Sequence, residues 1–542
     1  MKTELEKVAY MYADEHRIKQ RRRQHKFIIM ELFLDYAEKS TLHGLRYFTE
    51  KGITFVEKLF WVATFITSII LCCFLINNVY VKWKTSPVIV TVNEKLFSVG
   101  NVPFPSVTIC PEIKSKARVY NFTEHLIKYN QMTGEELAEF ADINISCGSY
   151  VTLDDGKPGR NNTNSSIVDH ITEVAPNESD TFFFCILRLR VIPCELLFKK
   201  VYTSQGLCFN MNGLAAEEMF RNTVQSDYNY SARDVPSRGW SMATGYYSED
   251  NPFPLRGSEN SAYADLMVTL HTHVNDSDGL CNAINSGYKI YLQHPADFPQ
   301  SSVYKYAAHH GHVSSLAVSF HVINTSDTLS GYTPEIRQCY FLHERYLRYF
   351  QIYTAQNCRA ECLSNYTFKL CNCVGYYMPH DNSKQICTEN SLSCMLLVEQ
   401  NMALVELHLK EAGDGSSCHC LPACESIEFD AEILKSEYNG AEVMKKLSDF
   451  KRWDISIDTD AYKFSRLDIY FKKPQFISMR RSELFGLTDF LANIGGLLGL
   501  FLGFSFLSLV EIIYFITLRL GFKFKRNVNE EKLGHLNSIK VS

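Results

Sequence analysis

The sequence predicts an α+β protein in which two membrane-spanning helices flank a large, disulfide-tied body. Three observations predict it. Two long apolar stretches lie towards the two ends of the 542 residues. Sixteen of the eighteen cysteines fall between Cys110 and Cys424, and nine N-x-S/T sequons lie in the same interval, with none in either tail. The net charge of −5 gives no electrostatic footprint for nucleic acid.

Residues 1–58 are polar and carry a basic run at Arg21, Arg22, Arg23 and Lys26. A membrane span follows some thirty residues later, so the run reads as a solvated flank facing anionic lipid, not as a nuclear or nucleic-acid patch. The first span, residues 59–81, has no charged residue over the roughly 20 positions that a bilayer requires. The second, residues 484–518, would extend roughly 50 Å as one helix against a hydrocarbon core of about 30 Å. It must tilt, break or project. Two spans leave both termini on one side and residues 82–483 on the other. Arg519, Lys523, Lys525 and Arg526 favour a cytoplasmic 519–542 tail, although Lys472, Lys473, Arg480 and Arg481 precede the second span. Long loops escape that charge rule, and the cysteines and sequons decide: the large loop is extracellular. The candidate glycan acceptors are Asn121, Asn144, Asn161, Asn164, Asn177, Asn229, Asn275, Asn324 and Asn365.

Within the loop, residues 88–92, 107–110, 288–292 and 315–322 alternate as strands do, while 135–141 and 344–354 read as helices. Cysteines crowd its end at Cys358, Cys362, Cys371, Cys373, Cys387, Cys394, Cys418, Cys420 and Cys424. CxC and CxxxC spacings also suit zinc, but an oxidising compartment favours disulfides and therefore a stiff cross-linked rod. No HExxH, GxSxG, Walker A or glycine-rich dinucleotide loop is present, so no enzyme, metal centre or cofactor is expected. His271 and His273, and His309, His310 and His312, would suit a metal or a proton sensor; surface histidines without such a role are commoner.

The second span contains four glycines, Gly495, Gly496, Gly499 and Gly503, spaced for close helix packing. Below them Ser505, Ser508 and Glu511 recur every three residues and so fall on one helical side. A carboxylate at that depth must face protein or water. Backbone carbonyls freed by a broken helix are tolerable only in such places, and with a carboxylate they attract cations. One span cannot enclose a pore, so several copies must surround an axis.

These residues resemble the degenerin/epithelial sodium channel family. Gly503-Phe504-Ser505 is similar to its Gly-x-Ser filter, Ser508–Glu511 to the S-x-x-E that follows, and His43-Gly44 in "STLHGLRY" to its cytoplasmic His-Gly motif. "FPSVTIC" resembles the segment after the first span. "PEIRQCYFLHERYLRYFQIYTAQNCRAEC" and "CHCLPACESIEF" resemble the cysteine-rich end of the body. The filter stretch is most similar to the insect pickpocket subfamily, and the resemblance covers roughly residues 40–516.

The resemblance implies a homo- or heterotrimer of related subunits in the plasma membrane, each with a palm, finger, thumb, knuckle and β-ball. It implies sodium permeation blocked by amiloride and gated by an extracellular ligand, osmolarity or force. Gly503 and Ser505 would shape the narrowest part, with the Phe504 ring turned from the axis, and Glu511 would concentrate cations. Gly499 matches the amiloride position and Ala492 the degenerin site. His43-Gly44 matches the gating motif; as chemistry alone it reads equally as a helix end capped by glycine. Asn493 stands where some relatives are acidic, which leaves proton-linked gating open. The implied disulfides are Cys339–Cys424, Cys358–Cys420, Cys362–Cys418, Cys371–Cys394, Cys373–Cys387, Cys110–Cys208 and Cys185–Cys194; parity leaves Cys147 with Cys281. The competing reading is a non-conducting accessory or receptor subunit of a heteromeric channel.

Overall fold

The computed structural model describes residues 27, 29–50, 52–85, 88–147, 166–224, 236–242, 244–248, 252–258, 263–281, 286–299, 305–411, 418–449, 458–523 and 525–526. Asn161, Asn164, Asn229 and the basic run at Arg21, Arg22, Arg23 and Lys26 lie outside them. The chain divides into two compact units. One comprises residues up to 89 and from 483 onwards, the other residues 90–482.

The larger unit is built on two sheets. Strand His312–Thr325 centres the first: Ser426–Glu437 runs antiparallel along it, and Tyr462–Phe471 and Gln475–Glu483 pair with it in parallel. Leu266–His273 and Phe182–Leu187 extend that sheet, which totals eight strands. The second sheet has five strands around Ser106–Pro111, between Tyr288–Gln293 and Gly206–Met211. Each inward face follows the alternation of its sequence. Leu316, Val318 and Phe320, with Leu467 and Ile469, meet Val107, Ile109, Phe209 and Ile290 in one buried core. At about 1.5–3 kcal/mol for each buried large apolar side chain, this core is the main source of the unit's stability.

The four segments read as strands lie within strands, and 135–141 lies within helix Glu135–Cys147. Segment 344–354 does not form a helix. Its backbone is committed elsewhere: Tyr349 N–H donates to Glu361 Oε2 at 2.9 Å, Tyr349 O accepts from Arg221 N, and Gln351 N–H donates to Met219 O. Leu347, Phe350 and Tyr353, whose spacing looks helical, fill an aromatic core with Phe298 and Tyr340 instead. The helix starts later, at Ala355–Cys371, where Thr354 caps it through a 3.1 Å bond from Asn357 N–H.

Eight disulfides join Cys110–Cys208, Cys147–Cys281, Cys185–Cys194, Cys339–Cys424, Cys358–Cys420, Cys362–Cys418, Cys371–Cys394 and Cys373–Cys387. The sulfurs of the cysteine-rich end are therefore spent, and no thiolate there is free to bind zinc. Cys72 and Cys73 keep free thiols. Arg337, with no exposed surface, anchors the start of this end. Its guanidinium donates to the carbonyls of Leu329, Tyr332 and Cys339 and pairs with Glu344.

The smaller unit contains helix Phe55–Thr85, apolar and long enough to cross a membrane. It also contains a helix pair, Leu487–Leu502 and Phe506–Lys523, bent by 73°. Trp83 stacks on Phe490 with ring centroids 4.8 Å apart, joining the two helical segments at one end.

Candidate functional site

The bend falls on Gly503-Phe504-Ser505, and local chemistry explains it. Gly503 takes φ +64°, the left-handed conformation in which glycine meets no Cβ penalty. Gly503 N–H closes on Gly499 O at 2.9 Å, the 5→1 bond of an αL cap, and Phe504 N–H closes on Leu498 O at 3.2 Å, so the first helix ends here. Ser505 then opens the next helix. Its Oγ accepts from Ser508 N–H at 3.3 Å, and its own N–H donates to Ser508 Oγ at 3.1 Å, a reciprocal capping box. One helix stops and another starts within three residues.

Ser505 is therefore not on the helical face that its spacing suggested. It is an extended cap residue (φ −116°, ψ 171°), and only Ser508 and Glu511 share a helical side. The backbone left between the helices is polar: among the described residues, the carbonyls of Gly503 and Phe504 accept no hydrogen bond. Phe504 O lies 3.8 Å from where a Cβ on Gly499 would stand.

The His43-Gly44 segment lies against this break. His43 N–H donates to Leu502 O at 3.0 Å, satisfying a helix-terminal carbonyl. A Cβ on Gly503 would lie 2.0 Å from His43 Nδ1, so the ring fits only against glycine. Two residues earlier, Thr41 Oγ1 lies 2.8 Å from Ser508 Oγ and donates to Glu511 Oε2 at 3.0 Å. Thr41 N–H reaches the same carboxylate oxygen at 3.4 Å. Ser508 is fully buried by these contacts. Gly44 does not end a helix. At φ +90° it precedes the short helix Leu45–Phe48, and its hypothetical Cβ would stand 3.4 Å from Phe65 of the first span helix. The helical-end reading of the motif is thereby corrected.

Further contacts continue along the second helix. Arg519 pairs with Asp35 at 2.6 Å, Lys523 with Glu31 at 3.2 Å, and Tyr36 meets Phe515 edge-on at 5.2 Å. Burial opposes ionisation of Asp35, but Lys39 and Arg519 outweigh it and hold the carboxyl below its usual range. Thr41, Asp35 and the Leu502 carbonyl were not singled out from the sequence. Thr41 sits two residues before the His-Gly pair, and nothing in its local pattern signals a partner 470 positions away.

Ala492 and Asn493 are exposed on helix Leu487–Leu502, where Asn493 Nδ2 donates to Asp489 O at 2.8 Å. Open space surrounds the positions that Cβ atoms would take on Gly495 and Gly496, so within this chain neither packs against another helix. Of the sequons, Asn275, Asn324 and Asn365 are exposed, and Asn121 and Asn177 are half-buried helix caps. Asn144 is a correction. Its side chain is 1% exposed and its Nδ2 donates to Glu389 Oε1 at 2.7 Å, leaving no path for a glycan. The histidines also differ from a surface reading: His271 is buried, its Nε2 3.0 Å from Ser179 O, and burial lowers its pKa. His273 Nδ1 accepts from Asn275 N–H, and His310 Nδ1 lies 3.1 Å from Ser465 Oγ.

Comparison with known proteins agrees with this architecture. Residues 36–515 match the family model for the amiloride-sensitive sodium channel. Pickpocket protein 28 of Drosophila melanogaster is 27% identical over 498 residues, covering 89% of this chain and 78% of that protein. The sodium channel protein Nach of the same species is 23% identical, covering 92% and 90%. The bile acid-sensitive ion channel of Mus musculus is 23% identical, covering 89% and 87%. With the family model spanning most of its length, the chain belongs to the amiloride-sensitive sodium channel family.

Proposed function

We propose that the chain is one subunit of a trimeric, sodium-selective, amiloride-sensitive channel of the plasma membrane, gated by an extracellular ligand, osmolarity or force. Helix Phe55–Thr85 and the bent pair are its two spans, both termini are cytoplasmic, and the cysteine-rich unit is extracellular. One observation carries this reading. The second span breaks at Gly503-Phe504-Ser505, and two carbonyls there have no partner among the described residues. Such backbone is costly in lipid and is tolerated where it lines water, where it can replace part of the hydration of Na⁺. Gly503, Phe504 and Ser505 form the filter, and Glu511 supplies an anion below it. The open glycine face at Gly495 and Gly496 suits approach to the axis, with Gly499 at the amiloride position and Ala492 at the gate. His43 and Gly44 brace the filter from the cytoplasmic side.

Voltage clamp of cells expressing the chain, alone or with a related subunit, tests this. With Ala492→Val to hold the pore open, a sodium-selective current blocked by amiloride is expected. Ser505→Cys should alter selectivity or confer block by a thiol reagent. Unchanged permeation despite confirmed labelling at residue 505 removes it from the pathway. Absence of current in every combination, with surface assembly confirmed, favours the accessory-subunit reading.

A further inference from the structure

A cavity of about 130 Å³ opens inside the larger unit. It is lined by the turn Ser204–Gln205, the end of helix Glu135–Cys147, Tyr376 and Tyr377, and helix Leu392–Glu411 through Leu392, Met395, Leu396 and Glu399. At its wall lies Lys114, only 5% exposed. A buried ammonium is costly unless its donors are used. Lys114 Nζ donates to Pro111 O at 2.7 Å, and among the described residues its other two N–H groups have no acceptor. Gln205 supplies a second donor: its Oε1 accepts from Lys289 Nζ at 2.6 Å, and among the described residues its amide NH₂ has no acceptor. At the wall, Glu399 Oε1 accepts from the Tyr377 hydroxyl at 2.6 Å. Ile145, Leu392, Met395 and Leu396 make the rest of the lining apolar.

We infer that this cavity binds a small monocarboxylate, its anionic end on Lys114 and Gln205 and its short apolar chain against Met395 and Leu396. The size is right. A cavity of about 150 Å³ takes benzene, with six heavy atoms, and butyrate has the same number. The site joins four separate segments, three of them pinned by the neighbouring disulfides Cys147–Cys281, Cys371–Cys394 and Cys373–Cys387. A ligand bridging them would favour one arrangement of the unit over another. As a candidate chemical stimulus, the site deepens the channel reading and rests on it for its role in gating, though not for binding.

Burial, with Lys289 nearby, lowers Lys114 to about 7 against the opposing pull of Glu112. The other titratable groups around it are Glu399 and the phenols of Tyr376 and Tyr377. The carboxylate needs the protonated lysine, so affinity should fall about tenfold for each pH unit above the lysine's pKa.

The test is thermal unfolding of the purified full-length protein with butyrate, with butylammonium and chloride as controls. Butyrate should raise the unfolding temperature in the millimolar range, and the effect should weaken about tenfold in concentration between pH 7.5 and 8.5. Lys114→Met, which removes a buried charge at similar volume, should weaken it at least tenfold. Leu396→Phe, which fills the cavity and keeps the lysine, should do the same and covers the case in which the first variant misfolds. No shift with butyrate, a shift in both variants as large as in the wild type, or an equal shift with butylammonium or chloride overturns the site. A butyrate shift in a protein that carries no current in any combination keeps the site and removes the channel reading. A sodium current without a butyrate shift removes the site alone.

Discussion

Gly503→Ala tests the break and its brace together. Alanine at φ +64° pays a left-handed penalty of about 1 kcal/mol. Its Cβ would also stand 2.0 Å from His43 Nδ1, so the ring must move. That displacement threatens the 3.0 Å bond from His43 N–H to Leu502 O, worth about 1 kcal/mol. The sum, about 2 kcal/mol, lowers the equilibrium constant for the braced arrangement roughly 30-fold. With equal surface expression, sodium current should fall to a few per cent and the Na⁺/K⁺ permeability ratio should change. The two costs separate in a double-mutant cycle. In a His43→Ala background the clash is gone and only the backbone cost remains, so the same alanine should cost about 1 kcal/mol less. Wild-type current and selectivity in Gly503→Ala, or equal costs in both backgrounds, would refute the reasoning.

Three further outcomes follow. Arg337→Met should reduce surface delivery several-fold, because it strands Glu344 and three carbonyls at a buried site, a loss of about 3–5 kcal/mol; surface biotinylation reads it, and normal delivery would count against the anchor. In an enzymatic deglycosylation ladder, Asn365→Gln should remove one band and Asn144→Gln none, since Asn144 is 1% exposed. Finally, burial pushes His294 down to about 4 while the unfolded side chain titrates near 6.5. The unfolded state then binds the extra proton between those values, so this histidine's contribution is intact above about pH 6.5 and is lost as pH falls towards 4, by up to roughly 3 kcal/mol. Asp297, raised to about 6 by burial, acts in the opposite sense, so the readable quantity is the difference between wild type and His294→Asn across pH 4–7. Parallel stability curves would contradict it.

Much of the fold was legible because each signal had a single physical cause. The apolar runs match the length that a bilayer requires, the pleat sets the alternation in strands such as His312–Thr325, and the clustered cysteines pair into eight disulfides. Where two causes compete, sequence pattern misleads. Residues 344–354 carry apolar groups at helical spacing, but the same groups fill a core reached from another segment, and the backbone bonds to Met219 and Arg221 outbid the helix. Ser505, Ser508 and Glu511 have helical spacing too, yet Ser505 is the extended cap that opens the second helix after the glycine turn, so only the other two share its helical phase. A sequon likewise records a chemical motif and says nothing of exposure, which is why Asn144 reads as an acceptor although its amide is buried against Glu389.

The partner of the break was the least legible part, and the reason is general. A helix interrupted in an apolar medium must find donors for its terminal carbonyls, and the sequence of that helix cannot say where they come from. Here one comes from the backbone of His43, so the contact leaves no mark on side-chain pattern except the requirement for glycine at 503. Thr41 adds the side-chain half, joining Ser508 and Glu511 with one hydroxyl. Backbone support at Leu502 and hydroxyl support at Ser508 fall on opposite sides of the break. Residues 41–43 therefore tie the end of one helix to the first turn of the next, and moving that segment would change the angle between them. This makes Thr41→Val the complement of Gly503→Ala: it removes the hydroxyl that joins Glu511 and Ser508 while leaving the backbone bonds of residues 41 and 43 in place. Its effect should appear in gating or conductance with little change in selectivity, whereas a changed permeability ratio without altered gating would assign Thr41 to the filter itself.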